Sequence, residues 1–136
     1  MIEITATPIE IQKVIAAASH PEAGAVNTFI GTVRNHANSK AVLRLEYEAY
    51  EAMAVAEIKK IMDDVCQRWP VKGWAISHRV GTLVPGDVAV VAAVATPHRA
   101  QSFEACQYVI DTLKATVPIW KKEVFEGGEE WISAHP

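Results

Sequence analysis

Pro118 constrains this chain more than any other single residue. Proline lacks a backbone N–H and pushes the residue before it out of the helical region. A helix carrying Leu113 and Lys114 must therefore stop near Val117, and the chain must resume as an extended segment through Trp120, Lys121, Lys122 and Glu123. The break sets lysines on both sides of a helix-to-strand handover, beside a large aromatic. Lysines so placed can converge on one pocket, repel each other and hold an anion; otherwise they are solvated surface charges. On an extended segment Lys121 and Lys122 point to opposite faces, so at most one of them faces such a pocket directly. Glu123 shares the side of Lys121 and can pair with it or orient it.

The rest of the chain supplies alternating and helical patterns in turn. Ile2 to Ala6 alternates as a short strand, and Thr7-Pro8-Ile9-Glu10 predicts a capping box opening a helix to about Ala18. Ala25 to Val33 is apolar, β-branched and long enough for a central strand. A polar, turn-prone stretch follows from Arg34 to Lys40, and alternation resumes from Val42 to Tyr47. Ala54, Ile58, Ile61, Val65 and Trp69 keep helical spacing, with Pro70 as the stop. Trp74–Val80 and Val88–Thr96 read as strands, separated by Pro85-Gly86, which suits the centre of a type II turn. Pro97-His98-Arg99 leads into a helix whose apolar face is Phe103, Cys106, Val109 or Ile110, and Leu113. Trp120–Phe125 and Glu130–Ser133 flank Gly127-Gly128, a tight hairpin. Hairpin-like strands mixed with helices predict an α+β sandwich in one domain over residues 1–136.

Composition narrows the function classes. A chain of 136 residues, half of them hydrophobic, can bury a real core. Its net charge of -3 argues against broad binding to nucleic acid or an anionic membrane, so any basic site is a local concentration. No apolar run reaches membrane-spanning length, and Met1-Ile2-Glu3-Ile4 lacks the order of a signal peptide. Cys66 and Cys106 fall on apolar helix faces and read as buried thiols in a reducing compartment, with the cytoplasm as the expected location.

Three places can carry chemistry. Arg34 ends the long apolar strand and opens Arg-Asn-His, where a rigid strand fixes an arginine beside a loop; Phe29 on that strand is a core aromatic or a pocket wall. His98 and Arg99 start a helix whose free N–H groups and dipole favour anions, and the guanidinium adds a planar fork. Lys114 and Lys121 form the third: near other cations or an apolar wall a lysine loses pKa and can serve as acid, base or amine nucleophile. There is no phosphate-binding glycine loop, dinucleotide fingerprint or zinc-type cysteine spacing, and the five histidines are scattered. The sum is a basic, metal-free anion pocket assembled from distant segments.

Five pieces in register give this sequence a family resemblance. Phe29-Ile30-Gly31-Thr32-Val33-Arg34-Asn35-His36, His78-Arg79-Val80-Gly81 with Pro85-Gly86-Asp87, His98-Arg99, Phe103-Glu104-Ala105, and Leu113-Lys114 through Pro118-Ile119-Trp120-Lys121-Lys122-Glu123 resemble molybdopterin synthase catalytic (large) subunits. The likeness runs from about Ile2 to Trp131. It implies an α/β-hammerhead-like sandwich with an additional antiparallel sheet or hairpin. It also implies a sulfurtransferase that converts cyclic pyranopterin monophosphate to molybdopterin in molybdenum cofactor biosynthesis. The sulfur then arrives as a thiocarboxylate on the C-terminal Gly-Gly tail of a small ubiquitin-like subunit, so no cofactor or metal is expected in this chain. The implied assembly is a central homodimer with a small subunit at each end, a heterotetramer. Carried over by position, Lys114 and Lys121 resemble the catalytic lysines. Arg34, His98 and Arg99 resemble substrate contacts, with Phe29, Thr32, Val33, Lys122 and Glu123 lining the same site. Family members can place an arginine near the C-terminus that reaches the neighbouring protomer; His135 stands at that position here. A non-catalytic dimeric docking module for a ubiquitin-like partner is the alternative.

Overall fold

The computed structural model describes residues 1–37 and 39–132; Ser133 and His135 lie outside the described residues. The elements run β1 (Ile2–Thr5), α1 (Ile11–Ala18), β2 (Ala25–Thr32), β3 (His36–Ala37), β4 (Lys40–Ala49), α2 (Glu51–Arg68), β5 (Gly73–Arg79), β6 (Gly81–Leu83), β7 (Val88–Thr96), α3 (Arg99–Thr116), β8 (Ile119–Phe125) and β9 (Gly128–Trp131). Helices and strands thus mix in one α+β arrangement built on two sheets.

The first sheet has the order β1-β5-β7-β2, with β1 parallel to β5 and the other pairs antiparallel. β7 explains its own sequence. Val-Ala-Val-Val-Ala-Ala-Val-Ala-Thr is nearly continuous in apolar residues because both faces are covered. Val91 and Ala93 pack toward Val14 and Ala18 of α1, whereas Ala92 and Val94 join Ile58 of α2 and Val109 of α3. Small residues on β7 let helices approach closely from both sides. Burial of each Val or Ile in these layers stabilises the fold by about 1.5–3 kcal/mol.

The second sheet runs β3-β4-β8-β9, with β6 also paired to β4. Val42, Leu45 and Tyr47 of β4 turn inward to Leu83, Ile119 and Phe125, so both sheets share the larger core.

Several expectations need correction. The capping box does not form: the Thr7 hydroxyl meets the Thr5 hydroxyl at 2.8 Å, and the Thr7 N–H donates to Thr5 Oγ1 at 3.1 Å. With Thr7 held by β1, the helix starts later, at Ile11, with Glu10 as its N-cap. β2 is the edge of its sheet and not a central strand, consistent with exposed Val26 and Ile30. The hairpin turns at Glu126-Gly127, where Gly127 takes φ 93°, while Gly128 already pairs with Phe125. Cys66 is exposed and not buried, because its helix position faces away from the core; Cys106 is buried as expected. The short strands β3 and β6 were not anticipated. The Pro118 break and the Pro85-Gly86 turn form as predicted, with Val117 extended at ψ 130° and Gly86 at φ 93°.

Candidate active site

The site begins where β2 ends. Val33 is clamped by the turn between β6 and β7: its N–H donates to the Asp87 carbonyl and its own carbonyl accepts from the Gly86 N–H, each at 2.9 Å. On the far side, the Asn35 carbonyl accepts the Val42 N–H of β4 at 2.9 Å. Arg34 lies between these two anchors, so its backbone is fixed while its side chain is free to reach solvent. The Asp87 carboxylate holds the turn itself, accepting the Val84 N–H at 2.9 Å and pairing with Arg79 at 3.6 Å.

The second wall is the β4–β8 ladder. Lys121 stands opposite Tyr47 and Glu123 opposite Leu45, so four side chains from two strands point the same way. Thr32, Val33, Arg34, His36, Tyr47, Lys121 and Glu123 contribute to one narrow cleft of about 60 Å³. That space suits a carboxylate- or phosphate-sized group, since a water occupies about 30 Å³ in the liquid.

Charge in the cleft is predominantly positive around one buried carboxylate. Burial is the main cause that holds the Lys121 amine below its ordinary pKa, with Lys114 and Arg34 pushing the same way and Glu123 opposing them. Glu123 is only 7% exposed. Tyr47 is pushed up to about 12, first by burial and then by the Glu123 charge, so its hydroxyl stays protonated. Behind it His78 meets the Tyr47 ring edge-on at 5.2 Å, and burial pushes His78 down to about 4. Lys114, in the last turn of α3, is favoured there by the helix dipole and sits 5.9 Å from the Phe29 ring centroid.

The structure brings Thr32, Val33, Arg34, Lys121 and Glu123 together, with Lys114 near enough to act on Lys121 and Phe29 beneath Lys114. It does not bring Lys122 into the cleft. That ammonium pairs with Glu46 at 3.3 Å and Glu129 at 3.6 Å and lies 5.3 Å from the Trp131 ring. Lys122 thereby serves the opposite face of β8, as strand alternation requires. His98 and Arg99 begin α3, fifteen or more residues before Lys114, so the helix separates the two ends by about 22 Å. Tyr47 and His36 were not among the predicted site residues. His36 had a signal, following Arg34 and Asn35 directly; Tyr47 had none, because only the strand pairing places it opposite Lys121. Neither thiol has a lowered pKa: burial pushes Cys106 up to about 11, and partial shielding from water by its neighbours, with the Asp63 charge, raises the exposed Cys66.

A family model described as MoaE protein matches residues 4–116. The chain belongs to the MoaE family. Its relatives extend the match beyond Lys121: a molybdopterin synthase catalytic subunit from Halalkalibacterium halodurans is 54% identical over 125 residues, covering 92% of this chain and 80% of that protein. The human molybdopterin synthase catalytic subunit is 45% identical over 131 residues, covering 96% of this chain and 70% of its own length. The crystal structure of molybdopterin synthase from Staphylococcus aureus superimposes with a TM-score of 0.93 at 38% identity, covering 96% of each chain. MoaE membership and the two-sheet architecture therefore agree. No helix among the described residues is long and apolar enough to cross a membrane.

Proposed function

We propose that this chain is the catalytic subunit of a molybdopterin synthase. In this reading it transfers sulfur from the C-terminal thiocarboxylate of a small ubiquitin-like subunit to cyclic pyranopterin monophosphate, forming the dithiolene. The observation that carries the reading is Lys121, half-buried and with its pKa lowered, in a cleft shared with Arg34 and Glu123. An amine whose pKa is lowered gives up its proton more readily than a solvated lysine, which suits a group that takes and returns a proton. Lys114 and Arg34 supply positive charge for the thiocarboxylate and the substrate phosphate, and Glu123 orients Lys121. Both thiols of the chain have raised and not lowered pKa values, which agrees with a sulfur donor brought by a partner.

His98 and Arg99 fit this scheme through a second copy. The length of α3 keeps them from the Lys114 end of their own chain, so they serve the phosphate or pterin in a homodimer by completing the partner's cleft. The small subunits then occupy the outer ends of a heterotetramer, and the site needs no metal.

Single-turnover sulfur transfer tests the reading, with a thiocarboxylated small subunit and the pterin precursor as reactants. Product forms only with all three components, and Lys121→Ala lowers the rate at least about 100-fold, as expected for loss of a general acid–base. Full activity in Lys121→Ala removes the catalytic assignment. Normal partner binding without turnover by the unaltered protein supports the docking module in its place.

A further inference from the structure

Tyr47 is a large aromatic side chain in the cleft to which neither motif nor proposed mechanism gives a task. It stands directly opposite Lys121 in the β4–β8 ladder and lines the same cleft as Arg34 and Glu123. Its ring is fixed from behind by the edge-on contact with His78 at 5.2 Å. His78 is itself buried and anchored, its Nδ1–H donating to the Arg79 carbonyl at 2.8 Å. The ring therefore cannot swing without disturbing His78 on β5 of the other sheet. Among the described residues the hydroxyl makes no hydrogen bond, and its oxygen is open to solvent although the residue as a whole is only 8% exposed. A phenol held this rigidly, with its donor unused beside a cationic amine, is organised for an acceptor that arrives from outside.

We propose that Tyr47 is a further substrate-contacting residue, donating a hydrogen bond to an oxygen of the carboxyl-type chain terminus that Lys121 and Arg34 draw into the cleft. This rests on the sulfur-transfer reading above and names a donor for its acyl group. The size of the cleft favours a chain end of a few atoms over a fused ring. Its charges favour an acceptor: Arg34 and Lys121 line the cleft, the Lys114 charge acts on Lys121, and Glu123 is the counter-charge. Because burial and Glu123 raise the phenol to about 12, the proton stays available throughout the neutral range. Lysine supplies the charge and tyrosine supplies the direction. A rigid phenol on a strand can locate one oxygen more sharply than a flexible ammonium can.

The test uses Tyr47→Phe in the full chain, which keeps the ring against His78 and removes only the hydroxyl. The probe is a synthetic peptide ending in Gly-Gly with a free carboxylate, titrated calorimetrically without pterin. Loss of one hydrogen bond to a charged group predicts Kd weakened about tenfold with an unchanged melting temperature. The ¹³Cζ resonance of Tyr47 in the unaltered protein also moves as peptide is added. Peptide affinity within twofold of the unaltered protein, or a stationary ¹³Cζ resonance, overturns the proposal. If Tyr47→Phe melts early, the resonance in the unaltered protein decides alone. Because the binding assay needs no turnover, failure of sulfur transfer in the unaltered protein sinks the catalytic reading separately, while absence of peptide binding sinks the Tyr47 contact.

Discussion

Lys121 owes its lowered pKa to burial and to opposed neighbours, which makes the contribution of each neighbour measurable. Burial lowers its pKa most, Glu123 resists, and Lys114 and Arg34 add to the lowering. Lys114→Ala therefore shifts the rising limb of the single-turnover pH profile to higher pH, and Glu123→Gln shifts it to lower pH. Movement of both in the same direction contradicts the arrangement. The same burial carries a stability cost with a definite sign. A lysine whose folded pKa is depressed binds fewer protons folded than unfolded, so its penalty is full below the folded value and fades as pH rises toward 10.5. Lys121→Met should raise the melting temperature at pH 7, and the gain over the unaltered protein should shrink by pH 10. Residues whose placement follows from local backbone chemistry were legible in the sequence: Lys121 and Arg34 sit where a proline break and a strand end point to them. Tyr47 was not, because its place in the cleft depends on the strand pairing that sets it beside Lys121, 74 positions further along the chain, and sequence pattern alone does not carry that register.

At the scale of elements, punctuation was easier to read than neighbourhood. Pro118 and Gly86 act through their own backbones, and both did what their chemistry dictates. Thr7 had a choice of partners and took the Thr5 hydroxyl, which moved the start of α1. That β2 lies at an edge depends on strand order, which is decided by helices packing on β7 and not by the composition of β2 itself. The turn Val84–Asp87 links fold to site, since it holds Val33 from both sides. Asp87→Ala leaves the Val84 N–H and the Arg79 guanidinium without their acceptor, at a cost of about 1–3 kcal/mol in chemical denaturation. Asp87→Asn keeps an acceptor for Val84 and should recover part of that loss. A variant Asp87→Ala with unchanged stability contradicts the clamp.

For the molecule as a whole, α3 is the long dimension that divides the basic residues into two groups. Arg34, Lys114 and Lys121 gather at one end, and His98 and Arg99 stand at the other. Co-purified dimers of Lys121→Ala and Arg99→Ala chains provide a direct check. Random mixing leaves one intact composite cleft in each mixed dimer, so activity returns to about half the unaltered value per mixed dimer. No recovery means that His98 and Arg99 do not complete a neighbour's cleft. The division of β8 into two faces reaches further than the active cleft. Ile119 pairs with Ala49, and two residues later Lys121 pairs with Tyr47, while Lys122 satisfies the acids on the outer face. Insert one residue after Ile119 with that first pair retained, and Trp120 takes the place opposite Tyr47 while Lys121 turns outward. Chain-length change between Pro118 and Lys121 is thus tolerable only in steps of two, so natural variants should keep this interval's parity even where side chains drift.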